Sequence, residues 1–167
     1  MNEANTKRLI ENHPELFAGA YIDGAYRFQG FECGDGWYNL IDKLCITIED
    51  LVKGQNQVRE TLIKYKKMRD DGVIEDIPSW FHNWDDLDNL SDWLAYPVVQ
   101  QIKEKFGGLR FYAEGTNMTM EQLIRYAENL STVTCESCGS QGEIRRAKWL
   151  KTLCISCHEF REAQHKS

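Results

Sequence analysis

The chain has 167 residues and a formal net charge of −6 at pH 7, with 42% hydrophobic and 28% charged residues. That length suits one domain of ordinary size, or a domain with a small appended module. A polar N-terminus and the lack of a long apolar run argue against a signal peptide and a membrane span, so we expect a cytoplasmic protein. An acidic chain also argues against broad phosphate-backbone binding, so any nucleic-acid contact must be local.

The first part of the chain predicts helices around a glycine-rich loop. A short helix over 3–12 is followed by two short strands about an Asp-Gly turn in 21–28. The glycine-rich run 30–37 must turn tightly. It opens onto a helix over 37–53, where apolar residues recur at three- and four-residue spacing, and a second helix is expected over 55–69.

The second part predicts a further helix, a strand and a last helix. Pro97 suits the first turn of a helix over 97–105, which two glycines end. The alternation in 109–112 indicates a strand. A helix over 119–130 follows, with Thr119 as its cap.

These elements predict an α+β fold. The body, 1–130, is expected to be mainly helical, with a small antiparallel sheet built from 21–28 and 109–112. The remaining residues, 131–167, are too few to fold dependably without help, and we expect them to form a metal-stapled module that packs against the body.

Four cysteines form the most specific motif of the chain: Cys135, Cys138, Cys154 and Cys157. Two CxxC steps separated by about 15–20 residues have the spacing of a four-thiolate Zn²⁺ site. Two disulfides or a redox CxxC are the alternatives, and both are less expected in a chain without secretion signals. The sequence therefore predicts zinc, bound for a structural purpose, since four thiolates leave no open position for water.

The sequence around the cysteines predicts the order knuckle, hairpin, knuckle and helix. Gly139 directly follows the first pair, where a knuckle needs a positive φ. Residues 143–146 and 149–150 are expected to form the hairpin arms, and a helix is expected after Cys157. This order is that of a zinc ribbon or treble clef.

An acidic, tryptophan-bearing stretch is the candidate partner surface. Residues 70–92 carry eight carboxylates and no Lys or Arg. The predicted partner-binding residues are Trp80, Trp84, Asp85, Asp86 and Asp88. As an exposed surface they would engage a basic partner protein. The alternative is that the tryptophans close the core while the aspartates cap turns.

The glycine-rich loop is a candidate ligand site. Its glycines allow close backbone approach, while Glu32 and Asp35 offer carboxylates, Cys33 a thiol and Trp37 an aromatic ring. An ordinary turn with Asp35 as a helix cap is the competing interpretation.

Cations bracket the Gly-Gly turn near residue 107. Lys105 and Arg110, with Lys103, lead into an aromatic strand and could hold a phosphate and stack a base. The alternative is a solvated helix end. Together with the glycine-rich loop, they suggest a nucleotide-binding protein or sponge.

A DNA-binding regulator is another alternative, using cations of the zinc module: Arg145, Arg146, Lys148 and Lys151.

Catalytic motifs are lacking. The sequence contains no Gly-x-Ser-x-Gly elbow, no His-Glu-x-x-His and no zinc-deaminase signature. We therefore lean against an enzyme.

Two resemblances carry these expectations further. The strings CESCG from Cys135 and LCISC ending at Cys157 resemble the zinc finger of the DksA/TraR family of RNA-polymerase-binding regulators, which implies a structural zinc and a protein partner. The strings GFECGDGWY from Gly30 and KEKFGGLRFY from Lys103, with the cysteine pairs, resemble a group of small phage and prophage proteins of unassigned function. The resulting prediction is a non-enzymatic, zinc-containing, phage-type accessory protein that binds and modulates a host protein.

Overall fold

The structure is a computed structural model, and it describes residues 1–21, 28–74, 94–146 and 149–164. The chain divides into two compact units: Met1–Ile48 with Tyr96–Ser167, and Glu49–Ala95. The described elements give an α+β fold, as the sequence predicted. The expected boundary at residue 130 stays a prediction.

Helices and short strands make up the described secondary structure. Its four α-helices are α1 Glu3–Asn12, α2 Tyr38–Asp70, α3 Met118–Ser131 and α4 Ile155–Gln164. Its five strands are β1 Phe31–Glu32, β2 Val98–Lys105, β3 Gly108–Glu114, β4 Glu143–Arg145 and β5 Lys151–Leu153. No helix of the described ranges combines the length and apolarity that crossing a bilayer requires.

The main sheet has the order β1-β2-β3 and is mixed. β1 pairs with β2 in parallel, and β2 pairs with β3 antiparallel. This corrects the expected antiparallel sheet, because β1 and β2 run parallel. Ala18–Tyr21 forms a short 3-10 helix, and the predicted turn at 22–27 lies outside the described residues.

α1 and α2 both follow from local sequence signals. Asn2 caps α1, its side chain accepting from the backbone N–H of Asn5 at 2.8 Å. α2 runs without a break over the two helices predicted at 37–53 and 55–69. Gly54 costs about 1 kcal/mol relative to alanine inside a helix, which is too little to end one whose flanks both favour helix.

The helix predicted over 97–105 is wrong, because this segment is strand β2. Val99 and Ile102 are fully buried and three residues apart, as on a helix. The cause is a bulge between Val99 and Gln101, which adds one residue and returns both buried side chains to the same face of the sheet.

A two-residue turn joins β2 to β3. Lys105 pairs with Gly108, which leaves Phe106 and Gly107 at the two central positions. Their φ angles are 56° and 79°, so both lie in the left-handed region that a type I′ hairpin turn requires.

α3 covers the free edge of β3. Asn117 caps this helix in place of the expected Thr119, accepting from the N–H of Met120 at 2.9 Å. The Ser131 hydroxyl accepts from the Leu109 N–H at 2.8 Å, and the Glu128 carboxylate accepts from the Phe111 N–H at 3.1 Å. These side chains satisfy the outward backbone donors of an edge strand.

The core of the first unit is formed by α1, the first turns of α2, the inner face of the sheet and α3. Its fully buried large side chains are Leu9, Leu16, Phe17, Trp37, Ile41, Ile48, Val99, Ile102, Leu109 and Met120. In the second unit, the Asn56 side chain bonds both the N–H and the C=O of Leu94, at 2.9 and 3.0 Å.

Candidate metal centre

Four cysteine side chains converge on one point near the C-terminus. The sulfur atoms of Cys135, Cys138, Cys154 and Cys157 all lie within 4.8 Å of one another. This is the one group of three or more potential metal ligands among His, Cys, Asp and Glu that the described residues contain. The arrangement can hold a metal ion.

The spacing of the sulfurs fits a tetrahedral ion. Four thiolates at about 2.3 Å from a central Zn²⁺ are separated from each other by about 3.8 Å. The Sγ atoms of Cys138 and Cys154 are 3.7 Å apart. A disulfide would place them at about 2.05 Å, so the separation suits a shared ion better than a bond.

Each cysteine pair is positioned by a short local structure. In the first pair, the Gly139 N–H donates to the Cys135 carbonyl at 2.8 Å, and Gly139 has a φ of 79° as the knuckle prediction required. The hairpin of β4 and β5 then returns the chain to Cys154. Cys157 lies in the first turn of α4, where its N–H donates to the Cys154 sulfur at 3.5 Å.

The predicted order of knuckle, hairpin, second pair and helix is confirmed, with shifted boundaries. The second hairpin arm is Lys151–Leu153 where 149–150 was expected. The helix begins at Ile155, before Cys157 and not after it. This brings the second cysteine pair to a helix N-terminus, where negative thiolates are favoured.

The thiols of the cluster differ in acidity. Hydrogen bonds from the side chain and backbone of Ser140 lower the pKa of the Cys138 thiol to about 6. Burial raises the pKa of the Cys157 thiol. Because a metal binds the thiolate form, Cys138 offers its sulfur at neutral pH, whereas binding at Cys157 must displace a proton.

A buried ionic group lies beside the knuckle. Glu136, between the first two cysteines, is only 4% exposed. The Lys151 ammonium donates to both of its carboxylate oxygens, at 2.8 and 2.7 Å, and lies 3.3 Å from a carboxylate oxygen of Glu104. Lys151 therefore connects β5 to the knuckle and to β2.

The glycine-rich loop is packed directly against this knuckle. The Glu136 carboxylate accepts from the Gly34 N–H at 3.0 Å, and its carbonyl accepts from the Gly36 N–H at 2.8 Å. A Cβ atom on Gly36 would lie 2.2 Å from the Cys135 carbonyl oxygen and 2.4 Å from the Gly139 nitrogen. The glycines that we expected to let a ligand approach the backbone closely are thus in contact with the knuckle of the same chain.

The other candidate ligand residues of this loop have structural partners. The Trp37 indole N–H donates to the Thr134 carbonyl at 2.8 Å, and the side chain is fully buried. Burial raises the pKa of Cys33 to about 12, so its thiol is protonated at neutral pH. Of this set, Glu32 is the exposed member.

Asp35 contacts α1 and not its own helical turn. Its carboxylate accepts from the Asn2 N–H at 2.8 Å and from the Asn5 side chain at 3.0 Å. The 3-10 turn over Asp35–Trp37 has no side-chain cap. The hydrogen bond from the Asn2 backbone holds the pKa of the Asp35 carboxyl below its usual value.

The remaining candidate residues fall into three groups. Lys105 and Arg110 lie on the β2–β3 hairpin, where Lys105 is exposed and Arg110 half-buried. Around the cysteine cluster, Arg145 pairs with Glu143, Lys151 points inward and Arg146 is exposed. Two of the four proposed DNA-contacting cations are therefore engaged in ion pairs. The predicted partner surface (Trp80, Trp84, Asp85, Asp86, Asp88) and Lys148 lie outside the described residues.

Sequence reasoning missed Glu136, Glu104 and Thr152. The Thr152 hydroxyl, fully buried, donates to the Gly107 carbonyl at 2.5 Å. For Glu136 the available signal was a carboxylate between the two cysteines of a CxxC step. A solvent-exposed turn does not require a charged residue at that position. Lys151, the partner of Glu136, was visible in the sequence, but only the folded hairpin brings Lys151 and Glu136 together.

The comparisons with known proteins assign no family to this geometry. No family model, no curated protein and no solved structure matches the chain.

Proposed function

We propose that the four cysteines bind one Zn²⁺ and that this ion is structural. The observation that carries the proposal is the convergence of four thiols within 4.8 Å in a CxxC and CxxC arrangement. When bound, the ion cross-links the knuckle, the hairpin and α4. Because four cysteines fill its coordination sphere, no coordination position remains for a substrate. The residues around it hold the glycine-rich loop and Lys151 in place.

Metal analysis of the purified protein tests this proposal. We expect one zinc ion per chain, loss of the zinc in Cys138→Ser, and a lower melting temperature for that variant. Ser137→Ala, a change at the exposed residue beside Cys138, is the matched control and should keep the metal. Full zinc retention by Cys138→Ser, or two disulfides in the native protein, would contradict the proposal.

We further propose that the chain is a non-enzymatic accessory protein of phage type, acting in the host cytoplasm by binding and modulating a host protein. Two features support this: the resemblance of its motifs to small phage proteins, and a stretch over 70–92 with eight carboxylates and no Lys or Arg. Tryptophans among carboxylates suit a basic partner surface, because they combine buried anchors with charge complementarity.

A pull-down from host lysate tests the partner proposal. We expect a specific captured protein whose binding is lost when Asp85, Asp86 and Asp88 are changed together to Asn. The matched control changes three exposed acidic residues of the described surface, all outside 70–92, to their amides: Glu15, Asp50 and Glu60. Equal capture by both triple variants would contradict the proposal.

A further inference from the structure

One face of the β2–β3 hairpin collects cations and aromatic rings. Ile102 and Phe111 are a cross-strand pair that points into the core. Because side chains alternate along a strand, the flanking residues point to the opposite face. That opposite face, with the turn, carries Lys103, Lys105, Phe106, Arg110 and Tyr112, which we call the hairpin face.

The cations of the hairpin face are placed against each other. Lys103 and Arg110 are direct cross-strand partners in the sheet register. Like charges directly opposite destabilise a sheet by up to about 1 kcal/mol. On the β1 side of β2, the register partner of Lys103 is Glu32. No cation of the hairpin face forms an ion pair with another described residue. The face therefore has a local excess of positive charge in a chain of net charge −6.

Each exposed ring of the face has a lysine beside it. The Lys103 ammonium lies 5.2 Å from the centre of the Tyr112 ring, and the Lys105 ammonium lies 5.4 Å from that of Phe106. The Tyr112 side chain is 41% exposed and Phe106 68% exposed. An accessible ring next to a cation matches a base and its neighbouring phosphate.

Phe106 is held in a backbone conformation that its side chain disfavours. Its φ of 56° suits Gly or Asn in a type I′ turn, and the left-handed region is unfavourable for a bulky residue. Neighbouring groups fix the turn, because Gly107 donates to the Glu104 carboxylate at 2.7 Å and accepts from the Thr152 hydroxyl at 2.5 Å. Strain of this kind is typical of functional positions.

The opposed cations and the strained, exposed Phe106 both reduce stability, and the fold requires neither. We propose that the hairpin face binds single-stranded nucleic acid, with bases stacking on Phe106 and Tyr112 and phosphates contacting Lys103, Lys105 and Arg110. The small area of the face and the acidic remainder of the chain disfavour a duplex, whose stacked bases offer no free ring faces. This proposal is independent of the host-protein proposal.

Fluorescence anisotropy of the zinc-loaded protein with labelled oligo-dT and oligo-U of about 12 nucleotides tests it. At about 50 mM salt we expect single strands to bind and the matching duplex to bind far more weakly. The slope of log K against log salt should be about −2 for three phosphate contacts. If a mononucleotide binds as tightly as the oligonucleotides, the ligand of the hairpin face is a free nucleotide and not a single strand.

Two substitutions separate a binding role from a structural one. Phe106→Gly relieves the turn, so we expect an equal or higher melting temperature together with about 5- to 150-fold weaker binding, the range for loss of one stacked base. Arg110→Gln removes the opposed charge, so stability should again be kept while the salt slope falls by about 0.7.

Tyr126→Ala is the matched control, because Tyr126 is an aromatic residue that is 64% exposed and belongs to α3 and not to the hairpin face. It should bind as the unsubstituted protein does. The proposal is overturned if no single strand binds at low salt, if Phe106→Gly binds undiminished, or if duplex and single strand bind equally.

Discussion

At the scale of single residues, backbone clearance governs the region around the metal centre. Gly34 and Gly36 each face the knuckle at a distance where a Cβ would lie 2.2 Å from a carbonyl oxygen. Neither has a positive φ, so the requirement for glycine is steric and not conformational. The glycine-rich loop, which resembles a ligand-binding loop in sequence, is therefore the surface against which the CxxC turn packs.

Gly36→Ala should lower the free energy of unfolding by about 3 kcal/mol, since overpacking of this severity forces backbone to shift. It should also weaken zinc binding, because the displaced atoms belong to the knuckle. Gly54→Ala is the control: nothing lies within 4 Å of its Cβ, and a helical Gly→Ala change stabilises by about 1 kcal/mol. Urea unfolding of the zinc-loaded variants measures both, and equal effects would contradict the steric explanation.

At the scale of elements, contacts distant in sequence fix how the helices and strands are placed. Asp35 ties the N-terminus of α1 to the loop before α2, and Ser131 of α3 satisfies the edge of β3. Thr152 of β5 holds the turn between β2 and β3. Each of these bonds satisfies a terminus, an edge or a turn that the element cannot satisfy alone.

The Asp35 bond predicts a pH dependence. Because the pKa of Asp35 is lowered in the folded state, its carboxylate stabilises the fold fully above the unfolded value, near pH 4, and this contribution is lost as the pH falls through the lowered pKa. Asp35→Asn should therefore be less stable than the parent at pH 7, with the difference shrinking below pH 4. Paired urea titrations across that range measure it; a difference that is constant with pH would contradict the assignment.

At the scale of the whole molecule, one ionic group joins four parts of the first unit. Lys151 on β5 contacts Glu136 of the knuckle and Glu104 of β2, while Glu136 also accepts from Gly34 of the loop. The side chains of Glu136 and Glu104 are 6% and 19% exposed. Removing the cation would leave two largely buried carboxylates without a compensating positive charge, which is far more costly than losing a surface ion pair.

Lys151→Met should accordingly destabilise the protein by about 3 kcal/mol, and adding Glu136→Gln should recover part of the loss by removing one uncompensated charge. Lys7→Met is the control, because the Lys7–Glu11 pair is 72% and 58% exposed and is worth less than about 0.5 kcal/mol. Denaturant unfolding with saturating zinc provides the measurement. A Glu136→Gln change that deepens the loss would show that the pair is not coupled as described.

The sequence by itself determined the features that depend on short spacings. The two CxxC steps, the positive φ of Gly139, α1 and the long helical stretch of α2 each arise from residues within a few positions of each other, and the separation of the two steps is itself typical of one zinc site, so their patterns were sufficient. Only the tertiary structure decided that Val98–Lys105 is a strand, since a bulge gave its buried residues a helical spacing and two neighbouring strands supplied its hydrogen bonds. It also decided that the glycine-rich loop receives the knuckle and that Lys151 points inward, because partners about 100 residues apart, such as Gly34 and Glu136, become neighbours only when the chain is folded.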